Sequence, residues 1–230
     1  MHIKLSLRLQ AIADMVDFGV SVIDVGTDHG YIPVYLTQKR HVRNVTASDI
    51  NEGPLDRARL SAAEYGVLDR ITFVLRDGLK DMPSDEITGA DTIIIAGMGG
   101  ENISQILQQA PWTGNPGINL ILQPMTKVHK LRQYLMENGY IIEKEVLVKD
   151  SGKIYPVMKV HGGGERACDI NCVEVYLGKI SKADELFNEY RDALTAKLTR
   201  AVLGMEMSEN SAPDKLAGMV KILEEISATV

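Results

Sequence analysis

The chain has 230 residues, 45% of them hydrophobic, which suffices for one full α/β domain and a smaller appendage. Its 25 Lys and Arg against 31 Asp and Glu leave a formal net charge of −6, which excludes a globally basic nucleic-acid binder but not a local basic surface for a structured RNA. No apolar run is long enough for a bilayer, and Arg8 and Asp14 interrupt the stretch where a signal peptide needs continuous apolar residues, so a cytoplasmic protein without membrane attachment is expected.

Leu5, Leu9, Ile12, Ala13 and Val16 recur at helical spacing and predict an amphipathic helix before the first strand. Seven strand-like runs follow, at 20–25, 44–49, 71–77, 91–97, 118–124, 140–148 and 153–160. The first five are short, rich in Val and Ile and nearly continuous in apolar residues, as parallel strands buried on both faces should be. Helical stretches at roughly 31–39, 54–65, 101–109 and 127–138 alternate with them, which predicts βαβ units in an open parallel sheet. The short link from Lys149 to Gly152 suits an antiparallel hairpin at the sheet edge.

Three glycines in His161-Gly-Gly-Gly-Glu165 stop both helix and strand, so a first domain is expected over 1–161 and a second over 165–230. Val173, Leu177, Ile180, Ala183, Phe187, Tyr190, Leu194 and Leu198 step by three and four, close to a heptad seam on one helix. Gly204 to Ala212 breaks the run, and Pro213 opens a second helix with Leu216, Met219, Leu223 and Ile226 on one face. An antiparallel, coiled-coil-like helical hairpin is the expected second domain. Cys168 and Cys172, four apart in a near-helical stretch, read as two small semi-buried side chains: a metal site needs more ligands, and no His lies near them in sequence.

Chemistry concentrates at the ends of the predicted strands. In Val22-Ile-Asp-Val-Gly-Thr-Asp-His-Gly30 an apolar strand ends in an acid, a Gly turn and a helix, and Gly26 and Gly30 let a nucleotide-type cofactor approach the backbone. A dinucleotide fingerprint would need glycines where Asp28 and Tyr31 stand, and its anionic pyrophosphate prefers bare N–H groups. Asp24 and Asp28 instead suit the cationic ammonium and sulfonium of S-adenosylmethionine; a tight turn with Asp28 as helix cap is the bland alternative. Asp49 ends the second strand where an acid can accept both hydroxyls of a ribose, and Asp77-Gly78 ends the third where an acid can meet an adenine amine. Ala96-Gly-Met-Gly-Gly-Glu101 ends the fourth, opening the backbone where a flat base or a methyl donor could enter. The Asn/Asp-Pro-Pro-Tyr motif of many amino-group methyltransferases is absent there. His29 reads as a packing or capping residue with general base as the sharper alternative, and Asp91 as structural.

These motifs, in this order, resemble the bacterial TrmK family, tRNA (adenine-N1)-methyltransferases acting on adenine 22. The likeness rests on residues 5–16, 24–33, 47–55, 76–79, 96–103, 122–135 and 149–156, and so covers nearly all of 1–160. The resemblance implies an α/β, class I (Rossmann-like) methyltransferase fold with a seven-stranded, mostly parallel sheet, plus a C-terminal helical domain. It implies S-adenosylmethionine as cofactor, with Asp24, Gly26, Asp28, His29 and Gly30 on its methionyl side and Asp49 and Ile50 at its ribose. Asp77 and Gly78 would flank its adenine, and Gly97, Met98, Gly99 and Gly100 would face the transfer point. Adenine N1 attacks through an in-plane lone pair, so the enzyme's task is positioning and stabilising developing positive charge, with Asp28 and then Glu101 as candidate carboxylates. The partner implied is tRNA, with no metal and no obligate protein partner. Lys4, Arg8, Lys127, Lys130, Arg132, Lys149 and Lys153 border the strand ends and are the candidate RNA-binding cations; Lys179, Lys182, Arg191, Lys197 and Arg200 follow along the C-terminal region. A methyltransferase for another macromolecule or for a small molecule, and a noncatalytic cofactor-binding module, remain open on the residues alone.

Overall fold

The computed structural model describes residues 2–39, 42–167, 173–207 and 213–229. Among them seven strands form one sheet: β1 (Ser21–Val25), β2 (Asn44–Asp49), β3 (Thr72–Leu75), β4 (Thr92–Gly99), β5 (Asn119–Thr126), β6 (Ile141–Asp150) and β7 (Lys153–His161). Their order is β3-β2-β1-β4-β5-β7-β6. The first five are parallel, and β7 runs antiparallel to both β5 and β6. The helices of the sheet domain are α1 (Leu7–Asp14), α2 (Tyr31–Lys39), α3 (Glu52–Glu64), the short α4 (Ser84–Gly89), α5 (Gly100–Gln108) and α6 (Val128–Glu137).

The continuous apolar runs have a simple cause. On β4, Ile93 and Ile95 pack with Ile103 and Leu107 of α5 and Leu131 and Leu135 of α6, while Ile94 points the other way, onto Ile12 of α1 and Leu36 of α2. β4 therefore buries both of its alternating faces. The edge strand β3 is shorter than the run 71–77: pairing ends at Leu75, and Asp77 lies in the turn beyond it. The link between β6 and β7 is a two-residue turn in which Ser151 and Gly152 both have positive φ, 51° and 77°, the type I′ geometry that matches strand twist.

The C-terminal part departs from the predicted single seam. It holds α7 (Val173–Leu177), α8 (Phe187–Glu206) and α9 (Pro213–Ser227). The apolar spacing runs on across a real break, because Gly178 (φ 76°) ends α7 in the left-handed conformation with its N–H bonded to Glu174 O at 2.7 Å. The expected break at 204–212 is also displaced, since α8 continues through Gly204; positions 208–212, like Cys168 and Cys172, lie outside the described residues. Leu177, Leu198, Ile222 and Ile226 form a core among α7, α8 and α9. Arg191 of α8 donates to Thr229 O beyond α9 at 2.8 Å, so the two long helices are antiparallel, as expected of a hairpin.

This unit is docked onto the sheet domain. Leu147 of β6 packs with Ile180 and Phe187. Beside them lies Arg132 of α6, which corrects the expectation that this residue belongs to a basic surface: it is 0% exposed. Its Nε and Nη2 donate to Glu145 Oε1 at 3.0 and 2.6 Å, Nη1 donates to the Val175 and Tyr176 carbonyls, and Nη2 reaches the Tyr190 hydroxyl at 3.3 Å. Glu145 Oε2 accepts the Lys179 N–H at 3.0 Å. A Cβ on Gly178 would stand 2.2 Å from Glu145 Oε2 and 2.6 Å from Arg132 Nη2, so only glycine fits over the pair. Removing one partner strands the other charge without water. Arg132→Met should therefore lower the stability of the full chain by about 3–5 kcal/mol in urea denaturation, whereas a loss below about 1 kcal/mol would mean the network holds nothing.

Candidate active site

The strand order reverses between β1 and β4, and the crevice above their C-terminal ends is where an open α/β sheet takes a ligand. There the N–H groups of Gly26 and Thr27 donate to Ser48 O at 2.8 and 3.0 Å, tying the turn after β1 to β2. Gly26 has φ 76°, and a Cβ on it would meet Met98 Cε at 2.2 Å. Met98 belongs to the irregular end of β4, where the register with β5 shifts on both sides of it. Gly97 before it has φ 77° and open space where a Cβ would be.

Met98 over Gly26 stands between two lobes of one cleft. The first, of about 400 Å³, is lined by Asp24, Gly26, Thr27, Asp28, His29, Asp49, Gly97 and Met98, closed by Arg8 and Leu9 of α1 and by Tyr31 and Ile32 of α2. The second, of about 270 Å³, shares Gly26, Asp49 and Met98 and adds Ile50, Arg76, Asp77 and Gly78 with Asn102, Gln105 and Ile106 of α5. Asp49 thus faces both lobes, one carboxylate oxygen already accepting the Asn51 N–H at 2.9 Å. Such a cleft fits a molecule with a cationic amino-acid end, a diol in the middle and a flat ring at the other end.

Charge in the first lobe is set by burial. Asp24 is 5% exposed, and loss of water, helped by the nearby Asp49 charge, pushes its carboxyl up to about 6 despite the opposing Thr27 hydroxyl. That hydroxyl is itself buried and makes no hydrogen bond of full geometry. A desolvated acid, an unpartnered hydroxyl and a glycine cradle are what a bound S-adenosylmethionine would complete, so the residues fit that group. Asp28, with φ 40°, is not a helix cap: its carboxylate is exposed and accepts from Arg57 of α3, with His29 Nε2 3.7 Å away. His29 stacks on Tyr31 at 5.2 Å between ring centroids.

Four predicted residues stand outside the cleft lining. Gly30 lets α2 approach α3, since a Cβ would meet Ala58 Cβ at 2.8 Å. Gly99 caps α5, and Glu101 in the first turn of α5 is exposed and paired with Lys127 at 2.9 Å. Gly100 admits the Lys127 carbonyl to 2.4 Å from where its Cβ would be, which locks the start of α5 to the start of α6. Asp91, at the opposite end of β4, accepts from the Ser21 N–H at 2.7 Å and from Arg43, a structural role as expected.

Of the candidate RNA-binding cations, Arg8 lies in the cleft: it donates to Gln123 Oε1 at 2.7 Å, and that oxygen also accepts the Gly97 N–H at 3.3 Å. This buried amide, which joins α1 to the irregular end of β4, carries no motif of its own and escapes a sequence reading. Lys4 and Lys130 are exposed, Lys149 pairs with Glu189 of α8 at 2.7 Å, and Lys127 and Lys153 line a separate cleft against α8. Arg76, which borders the second lobe, is held by a two-pronged pair with Glu86 of α4 at 2.8 and 3.0 Å.

The raised carboxyl of Asp24 has a consequence for stability. The folded state holds its proton more tightly than the unfolded chain does, so stability contributed at low pH is lost as pH rises from about 4 through about 6. Asp24→Asn should therefore raise the melting temperature at pH 7 by several degrees, with the gain vanishing toward pH 4. Equal melting temperatures of the two proteins at pH 7 would show that the carboxyl is not strained by burial.

Comparison with known proteins agrees with this geometry. Residues 5–158 match a methyltransferase domain model. The tRNA (adenine(22)-N(1))-methyltransferase of Bacillus subtilis is 33% identical over 166 residues, spanning 72% of this chain and 68% of that protein. The crystal structure of the B. subtilis M1A22 tRNA methyltransferase TrmK superposes with a TM-score of 0.77 at 25% identity, covering 98% of this chain and 99% of that one. TrmK of M. capricolum in complex with S-adenosyl-homocysteine gives 0.77 at 25% identity, over 97% and 96%. No helix among the described residues is long and apolar enough to cross a membrane. From cleft, topology and relatives together, the chain belongs to the family of tRNA (adenine(22)-N1)-methyltransferases.

Proposed function

We propose that the chain transfers a methyl group from S-adenosylmethionine to N1 of an adenine in tRNA, adenine 22 by its relatives, and that it does so in the cytoplasm. The observation that carries this reading is the convergence of Asp24, Asp49, Asp77 and the Gly97–Met98 loop on one two-lobed cleft at the point where the strand order reverses. When bound, S-adenosylmethionine supplies an activated methyl group on a sulfonium, which adenine N1 takes through its lone pair without first losing a proton.

The residues of the chain do the rest. Asp24 holds the cationic methionyl end, and that positive charge draws its carboxyl to the ionised form. Asp49, reached from both lobes, accepts the ribose hydroxyls. Ile50 and Ile106 give apolar walls to a flat base, with Asp77 placed for its exocyclic amine. Gly97 leaves room for the incoming adenine, and the Arg8–Gln123 link fixes the loop that bears it. Asp28 in the cleft wall, rather than Glu101 outside it, is the carboxylate that offsets positive charge growing on the adenine ring, with Arg57 holding it in place.

Incubation with tRNA and cofactor, followed by mass spectrometry of the nucleosides, should show 1-methyladenosine; methylation of ribosomal protein instead, or no transfer, would overturn the assignment. Asp49→Ala should weaken S-adenosylmethionine binding tenfold or more in calorimetry, consistent with about 1.5–3 kcal/mol for hydrogen bonds to a charged acceptor. Unchanged affinity in the folded variant removes Asp49 from the ribose. Asp28→Asn keeps size and loses charge, so turnover should fall while cofactor affinity stays within twofold. A parallel fall in both would move Asp28 into the cofactor site.

A further inference from the structure

A second cleft, of about 350 Å³, opens between the sheet domain and the C-terminal helices, and none of the cofactor motifs enters it. Its walls are the end of β5, the first turn of α6, the β6–β7 turn, Tyr176 of α7 and one face of α8. Inside, the rings of His129 and Tyr176 stack with centroids 5.1 Å apart and planes within 3°. Both are half-buried, so the pair offers a flat apolar shelf to whatever enters. Burial and the surrounding cations, Lys130, Lys197, Arg132 and Lys127, push His129 down to about 4, and its ring is neutral at neutral pH.

The rim is basic in a chain of net negative charge. Lys127, Lys153 and Lys197 line the cleft, and among the described residues Lys153 and Lys197 make no ion pair. The acids nearby are already engaged: Glu189 by Lys149 at 2.7 Å and Glu101 by Lys127 at 2.9 Å. A neutral stacking surface ringed by three ammonium groups, those of Lys153 and Lys197 without an ion pair, is complementary to single-stranded nucleic acid, in which bases present flat faces and phosphates carry the charge. An acidic peptide would satisfy the lysines but leave the stack without use.

Position joins this cleft to the cofactor cleft. Met125 and Thr126 form its β5 wall, Thr126 pairs in register with Gly99 of β4, and Gly97 and Met98 of that β4 end line the cofactor cleft. We propose that the second cleft holds an unpaired nucleotide flanking the target adenine, its base extending the His129–Tyr176 stack and its phosphates meeting Lys127, Lys153 and Lys197. This rests on the tRNA reading above and adds a base-stacking site to it.

The test uses the full chain and transcribed substrate tRNA, with binding measured across a range of KCl and cofactor affinity measured in parallel. His129→Ala and Tyr176→Leu should each weaken tRNA binding about tenfold with the salt slope unchanged, because stacking releases no counterions. Tyr176→Trp should restore affinity. The exposed pair Lys153→Glu and Lys197→Glu should weaken binding and flatten the slope by roughly 0.7 per lost phosphate contact. Cofactor affinity should stay at the wild-type value in all of them. If wild type methylates tRNA yet the ring variants bind it as tightly as wild type, the stacking site is wrong and the enzyme assignment stands. If wild type neither binds nor methylates tRNA, both fall. Should a ring variant fail to fold, the surface lysine pair decides: an unchanged slope and affinity overturn the proposal.

Discussion

A guanidinium and a carboxylate sealed from water, Arg132 and Glu145, hold the two parts of this molecule in register. Desolvating both charges is costly, and the arrangement is tolerable only because nearly every donor and acceptor finds a partner. The fork of Arg132 spreads over the Glu145 carboxylate, two carbonyls in the last turn of α7 and the Tyr190 hydroxyl, while the second carboxylate oxygen takes the Lys179 N–H. Carbonyls at a helix C-terminus lack partners of their own, so a cation there also meets the negative end of the helix. A lysine, with a single point charge, could not make this set. These two side chains tie α7 and, through Tyr190, the start of α8 to the sheet domain, beside the apolar contact of Leu147 with Ile180 and Phe187.

The cofactor cleft obeys a different constraint, close approach of backbone. Gly26 beneath Met98, Gly100 beneath the Lys127 carbonyl and Gly30 against Ala58 are three places where a single methyl group would collide. They bring β1, β4 and the starts of α2, α5 and α6 together around one opening. The buried Asp24 carboxyl and the unpartnered Thr27 hydroxyl there are groups a charged ligand can complete.

Legibility in the sequence followed burial geometry. The central strands could be read because Ile93, Ile94 and Ile95 are buried on both sheet faces, leaving no alternation to confuse with a surface strand. The turn after β1 could be read because glycine and acid at fixed spacing have few other uses. The break at Gly178 could not, since Leu177 faces the α8–α9 core while Ile180 and Phe187 face Leu147 of β6: apolar spacing reports that residues are buried, not that one helix buries them. The glycine inside the seam was the available signal. Arg132 was misread for a similar reason, because a charge on a helix next to Leu131 and Leu135 looks solvent-facing until its partner, an inward Glu on a neighbouring strand, is known. Of the site, the acids and glycines were visible, whereas the Arg8–Gln123 link and the apolar wall of Ile106 depend on elements far apart in sequence.

Attachment of α8 at one end turns the protein into a gauge. The helix has 20 residues and so extends about 30 Å from its root, where Phe187 packs on Leu147 and Tyr190 meets Arg132. Contacts at that root set the distance from its tip to the opening above β4. A macromolecule that touches both places is measured by the gap between them, and a short fragment carrying the same reactive base can reach only one. Selection of this kind acts on the dimensions of a folded substrate, before any base is read.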